Sequence, residues 1–136
     1  MYLLEREISA YTGSNLCLGI FTSRDTAERE RVQYLLAIDA NDPWRDQAYH
    51  QTSPSDIRVI EIDVIGAPRM EGHLVSAYYE GFGQIVRRFV ALHADRPAAD
   101  MHAATLEEQE AATETMPNWC EVTTLPLDTL LIPSPD

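Results

Sequence analysis

Lysine is absent from this 136-residue chain, and all ten basic residues are arginine. That excludes Schiff-base chemistry, a phosphate-loop lysine and a lysine general base. Cysteine is nearly absent too. Cys17 and Cys120 lie far apart with no metal-type spacing, and each reads as a buried thiol of a reducing compartment. No apolar run approaches the ~18 residues that a membrane span needs. Glu5 and Glu7 occupy the stretch where a signal peptide carries positive charge, so neither export nor a membrane partner is expected, and the chain reads as cytoplasmic. Gly81-Phe82-Gly83 lacks the third glycine and following helix of a dinucleotide loop, and reads as a hairpin turn. His50, His73, His93 and His102 form neither HxH nor HExxH, and no Ser-His-Asp order or Cys-His pairing stands out. No cofactor, no metal and no catalytic residue is therefore expected.

What the chain has in excess is negative charge. Twenty-two acids against ten arginines leave a formal charge of −12, with −5 over residues 1–65 and −7 over residues 66–136. Such a field keeps a protein soluble, repels nucleic-acid backbones and attracts a basic protein.

The chain reads around Gly19-Ile20-Phe21-Thr22-Ser23-Arg24-Asp25-Thr26-Ala27-Glu28, where an apolar strand ends and Ser23 is placed to cap a charged helix. A similar junction returns at residues 91–100, with Arg96, Ala99 and Asp100 each 72 residues beyond Arg24, Ala27 and Glu28. Strands are expected at Tyr2–Ile8 and Leu16–Thr22, then a helix from Ser23 to about Asp39. Its sheet-facing stripe is Ala27, Tyr34, Leu35 and Ile38, and Glu28 to Arg31 form its solvated face. Pro43 disfavours helical geometry at Asp42. Asp56–Val64 is the clearest strand, with Ile60, Ile62 and Val64 opposite Glu61 and Asp63.

Residues 73–93 admit two readings. Val75, Tyr78, Phe82, Ile85, Phe89 and Leu92 have helical spacing, but two glycines would cost a helix about 1 kcal/mol each. A hairpin, His73–Tyr79 and Ile85–His93, is the reading adopted. Asp95 then caps a second helix, with Pro97 tolerated in its first turn; Thr105-Leu106-Glu107-Glu108 is a capping-box pattern that offers a second start for the same helix, and Trp119–Leu125 closes the chain as a strand. The expectation is an α+β fold of two tandem ββαβ modules, an internal duplication packed as a pseudo-twofold single domain with antiparallel sheet. Module 1 spans residues 1–65, a linker 66–72, module 2 residues 73–130, and a tail 131–136.

The first half resembles small uncharacterised bacterial ββαβ domains. They begin with a "YLL" strand, here Tyr2-Leu3-Leu4, and run through "G-[IVY]-F-[ST]-S-R-x-x-A-E" into a helix, here Gly19 to Glu28. The resemblance covers about 60 residues and implies a fold but no activity. The second copy departs from it, with Asp95 for Ser23 and His93 for Phe21.

Candidate binding residues fall in two groups. Trp44, Arg45, Tyr49 and His50 lie in a long polar loop and include types that dominate protein interfaces. Trp44 and Tyr49 could equally fold back over the core. Arg24 and Arg96 recur at the two strand–helix junctions, the second of which also carries His93, and the paired arginines could clamp an anion or make local ion pairs with Glu28 and Asp100. His93 is expected half-buried and His102 solvated. The leading expectation is a non-catalytic accessory or immunity-like protein that binds a basic partner. Another class is a small-molecule binder or enzyme with a site in a cleft between modules, near Arg24, Arg96, His93 and Tyr49. A monomer or a homodimer fits either.

Overall fold

A computed structural model describes residues 1–8, 14–47, 53–81, 83–112 and 118–135. It is a mixed α+β structure with two helices and two sheets. The chain divides into two compact units, the first built from Met1–Glu61 and Asp128–Asp136, the second from Ile62–Leu127.

In the first unit, β1 (Tyr2–Arg6) is the middle strand of an antiparallel sheet, between β2 (Leu16–Phe21) and β3 (Ile57–Glu61). Helix α1 (Arg24–Ala40) starts at Ser23, whose Oγ accepts from the Thr26 N–H at 3.2 Å. This satisfies one of the four donors that a helix start leaves open. Ala27 and Tyr34 of α1 are fully buried against Leu4, Leu18, Phe21 and Ile57, with Leu35 and Ile38 packed beside them. Arg31 is not on the solvated face. Its guanidinium donates to the carbonyls of Ile57 and Pro54, at 2.5 and 2.6 Å, and ties α1 to the turn that enters β3.

The expected single strand across 56–64 is divided. β3 ends at Glu61, and β4 (Asp63–Ile65) pairs with β6 (Gln84–His93) in the second unit. That pairing is parallel, which corrects the expectation of antiparallel pairing throughout. The reason is that residues 63–65 satisfy the outer edge of β6 and leave β3 at the edge of its own sheet. Ile65 extends the link, its carbonyl accepting from Ala94 N at 2.9 Å.

Residues 73–93 form a hairpin. β5 (Glu71–Gly81) pairs antiparallel with β6, and Gly83 takes the turn at φ +77°. β5 pairs on its other side with β7 (Asn118–Pro126), so the second sheet has the order β4-β6-β5-β7. Helix α2 (Arg96–Ala112) begins after Asp95, whose carboxylate accepts from Ala98 N at 3.0 Å. Its buried Ala99 and Ala103 lie on Val75, with Val90, Leu106, Cys120 and Val122 around them. Small residues at these helix positions let α2 lie close to the sheet, which brings the residues next to them within reach of the strands. Among the described residues, no helix is long and apolar enough to cross a membrane.

Candidate functional site

The sequence-nominated residues separate by unit. In the first unit, Arg24 is exposed and its guanidinium stands 5.7 Å from the Tyr2 ring centroid. Trp44 is 7% exposed. Its backbone N–H donates to Asp42 Oδ1 at 3.0 Å, and that carboxylate also holds the buried Arg6 guanidinium through two 2.9 Å hydrogen bonds. Arg6 in turn donates to the Tyr34 hydroxyl at 3.0 Å. Burial alone would lower the Arg6 pKa; the bonds to Asp42 and Tyr34 more than offset it, and the net direction is upward. The start of the 44–51 loop is therefore fastened to the core, with Trp44 turned inward. Arg45 is exposed beside Asp46 at 3.8 Å, a separation typical of a weak surface pair. Tyr49 and His50 lie outside the described residues.

In the second unit the strand–helix junction gathers more chemistry than the sequence suggested. His73 on β5 stands directly across from His93 on β6 and, on its other side, from Thr124 on β7. Directly paired residues point to the same face of a sheet. That face carries Val75, which contacts α2, so all three side chains lie under the helix. His93 Nε2 meets His102 Nδ1 at 2.8 Å, with the rings edge to face. His73 Nδ1 is 2.8 Å from Thr124 Oγ1. Arg96 donates to the same hydroxyl at 3.2 Å and to Asp100 at 3.0 Å.

His93 is 4% exposed, not half-buried, and His102 is its partner rather than a solvated residue. Burial, reinforced by His102 and His73 and opposed by Asp95, holds the His93 pKa below the ordinary imidazole value. Nothing local in the sequence singles out His73, because it lies twenty positions before His93 along the chain and only strand register unites them. Among the described residues, no group of three His, Cys, Asp or Glu side chains is placed to hold a metal ion.

The opposite face of the same sheet holds a second array, with Ser76 and Tyr78 of β5, Arg87 and Phe89 of β6, and Trp119 and Glu121 of β7 in register. Trp119 and Tyr78 stack with centroids 5.2 Å apart and planes 1° from parallel. The Arg87 guanidinium lies 5.5 Å from the Tyr78 centroid and 4.7 Å from that of Phe89, and it donates to Ser76 Oγ at 3.0 Å. Burial raises the Tyr78 pKa, Arg87 opposes the shift and Glu121 adds to it. Trp119 remains 38% exposed, and Glu121 and Glu80 are exposed beside it. Arg88, on the other face, lies 5.7 Å from the Tyr79 ring. Two adjacent arginines are thus each held against an aromatic ring, one per face.

The chain matches no protein-family model, no curated protein and no solved structure.

Proposed function

We propose that the chain is a non-catalytic partner-binding protein, of accessory or immunity-like character, that engages a basic protein. The observation that carries this reading is the row Trp119, Tyr78, Arg87 and Phe89 on the sheet face opposite α2. Trp, Tyr and Arg are the residue types that supply most of the binding energy at protein interfaces. Here their rings and guanidinium are already stacked, so little side-chain freedom is lost on contact. Glu80 and Glu121 flank the row, and the whole chain carries a charge of −12. A partner with apolar side chains framed by lysine or arginine would match both features.

We infer further that each half is a ββαβ module of a small bacterial family, duplicated in tandem, and that the chain acts in the cytoplasm. Three correspondences support duplication. Both sheets place the first strand of the module between the second and third. Ser23 and Asp95, 72 residues apart, cap the two helices. Gly66 and Asp128 follow the last strand segments of each half, both with positive φ, and lie against Ala94 and Thr22, again 72 residues apart.

The test is retention of proteins from the native host on immobilised chain. Wild type is expected to retain a basic protein at low salt and release it at high salt. Trp119→Ser combined with Phe89→Ser is expected to abolish retention. Val32→Ser combined with Leu36→Ser, on the exposed apolar stripe of α1, is expected to leave it intact. Retention unaffected by the sheet variant, or lost only in the α1 variant, would sink this assignment of the surface.

A further inference from the structure

Three of the four histidines of the chain meet between α2 and the second sheet. A hydrogen bond between two imidazoles holds one proton, and its position follows from what surrounds the rings. His93 Nδ1 is buried and has no partner among the described residues. A bare nitrogen lone pair in that position costs less than an orphaned N–H. His93 therefore carries its proton on Nε2 and donates it to His102 Nδ1. Next to this pair, the Thr124 hydroxyl accepts from Arg96 at 3.2 Å and stands 2.8 Å from His73 Nδ1.

A further proton leaves the shared hydrogen bond in place and goes to His93 Nδ1, the buried nitrogen that is bare in the neutral pair, where it makes an N–H with no acceptor and a charge cut off from water. The surroundings offer little compensation. On β5, His73 lies directly across from His93. Beyond it on β7, Thr124 is engaged by the permanent cation Arg96. The Asp100 carboxylate is engaged by Arg96, and that of Glu107, further along α2, accepts from Cys120 N at 2.8 Å. Asp95 is the one acid that favours charge on His93, and its carboxylate already caps α2 through Ala98 N.

We propose that His73, His93 and His102 form an acid-operated latch for α2. While His93 is neutral, the helix is held on β6. When His93 Nδ1 takes a proton, the N-terminal turns of α2 lift and uncover Val75, Ala99 and Ala103.

The direction of the His93 shift agrees with this geometry. A histidine held below its unfolded pKa of about 6.5 contributes stability that is complete above that value. The contribution is lost as pH falls from there through the folded value, because the open state takes up the proton first. Each unit of depression makes opening about tenfold easier.

The test is amide hydrogen exchange on the full chain between pH 7.5 and 5.0, corrected for the intrinsic pH dependence of exchange. Exchange in the first turns of α2 is expected to accelerate about tenfold or more relative to α1. Imidazole carbon shifts read by NMR on the same samples are expected to show His93 neutral at a pH where an ordinary histidine is half protonated. His93→Gln keeps a side-chain amide donor for His102 Nδ1 but has no imidazole to charge, and is expected to remove the larger part of the response. An α2 that keeps pace with α1 overturns the proposal, as does a response of equal size in His93→Gln. Should that variant fail to fold, the imidazole shifts of wild type decide alone: His93 titrating at or above the ordinary value overturns the latch.

Discussion

The Asp128 carboxylate accepts from the backbone N–H of Thr22 at 2.9 Å and from the Thr22 hydroxyl at 3.1 Å. Asp128 is also the only non-glycine residue with positive φ among those described, at +56°. Its own N–H bonds to the Ile20 carbonyl at 2.8 Å, and Leu131 N bonds to that of Leu18 at 2.7 Å. The C-terminal segment thus satisfies the outer edge of β2 and braces the residue before the α1 cap.

Substitutions at Asp128 separate hydrogen bonding from backbone conformation. Asp128→Asn keeps an acceptor and tolerates the left-handed region, so it should be the mildest. Asp128→Gly loses the acceptor but fits the backbone. Asp128→Ala loses the acceptor and adds strain of about 1 kcal/mol, for a total near 2 kcal/mol, because both partners are solvent-exposed. Denaturation midpoints should fall in the order Asp, Asn, Gly, Ala. An alanine variant as stable as the glycine variant would remove conformation from the explanation.

The buried trio Arg6, Asp42 and Tyr34 predicts a steeper loss. Arg6 is 1% exposed, so removing the Asp42 carboxylate takes two charged hydrogen bonds from a buried cation. Asp42→Ala should cost about 3–5 kcal/mol, and Tyr34→Phe only about 1 kcal/mol. Arg6→Met combined with Asp42→Leu should recover most of the Asp42→Ala loss, since the buried cation is removed together with the carboxylate. Urea denaturation of the three variants measures this. An Asp42→Ala loss no larger than that of Tyr34→Phe would mean that water reaches the guanidinium.

How much of this was legible depends on the range of the interaction. The Ser23 and Asp95 caps, both helices and the hairpin at 73–93 follow from neighbours a few residues apart, and two glycines were enough to reject a helix there. The split at Ile62 was not legible, because Ile60, Ile62 and Val64 alternate evenly and nothing local marks a change of sheet. The histidine cluster depends on register. A one-residue slip of β5 would turn His73 to the opposite face, and the bulge between Val75 and Ser76 places Val90 toward α2 and Phe89 away from it. Trp44 illustrates the converse. Its residue type and polar surroundings suggested an exposed anchor, but Asp42 draws its backbone toward Arg6 and the indole goes inside.

Two glycines with positive φ should respond differently to alanine. At Gly19, φ is +152° and a Cβ would stand 2.7 Å from the Thr129 carbonyl oxygen and 2.8 Å from the Phe21 ring. Backbone and a buried aromatic must both yield, so Gly19→Ala should cost about 2–4 kcal/mol. At Gly83, φ is +77° and nothing lies within 4 Å of the added carbon. Only the conformational penalty applies there, about 1 kcal/mol. Thermal unfolding of both variants checks the ranking, and equal losses would show that the close approach at Gly19 relaxes freely.

The two tryptophans should report on different surroundings. Trp44 is 7% exposed and Trp119 38%. Trp119→Phe should therefore leave a blue-shifted emission that acrylamide quenches weakly, and Trp44→Phe a red-shifted emission that it quenches well. A neutral quencher is required, because a protein of charge −12 repels iodide and would make Trp119 look falsely protected. Arg87→Ala removes the guanidinium held between Tyr78 and Phe89 and loosens the support of the stacked pair, so quenching of Trp119 should rise further in that background. If Arg87→Ala leaves Trp119 quenching unchanged, the row is not mechanically continuous, and the pre-stacked surface proposed for partner binding reduces to Trp119 and Tyr78 alone.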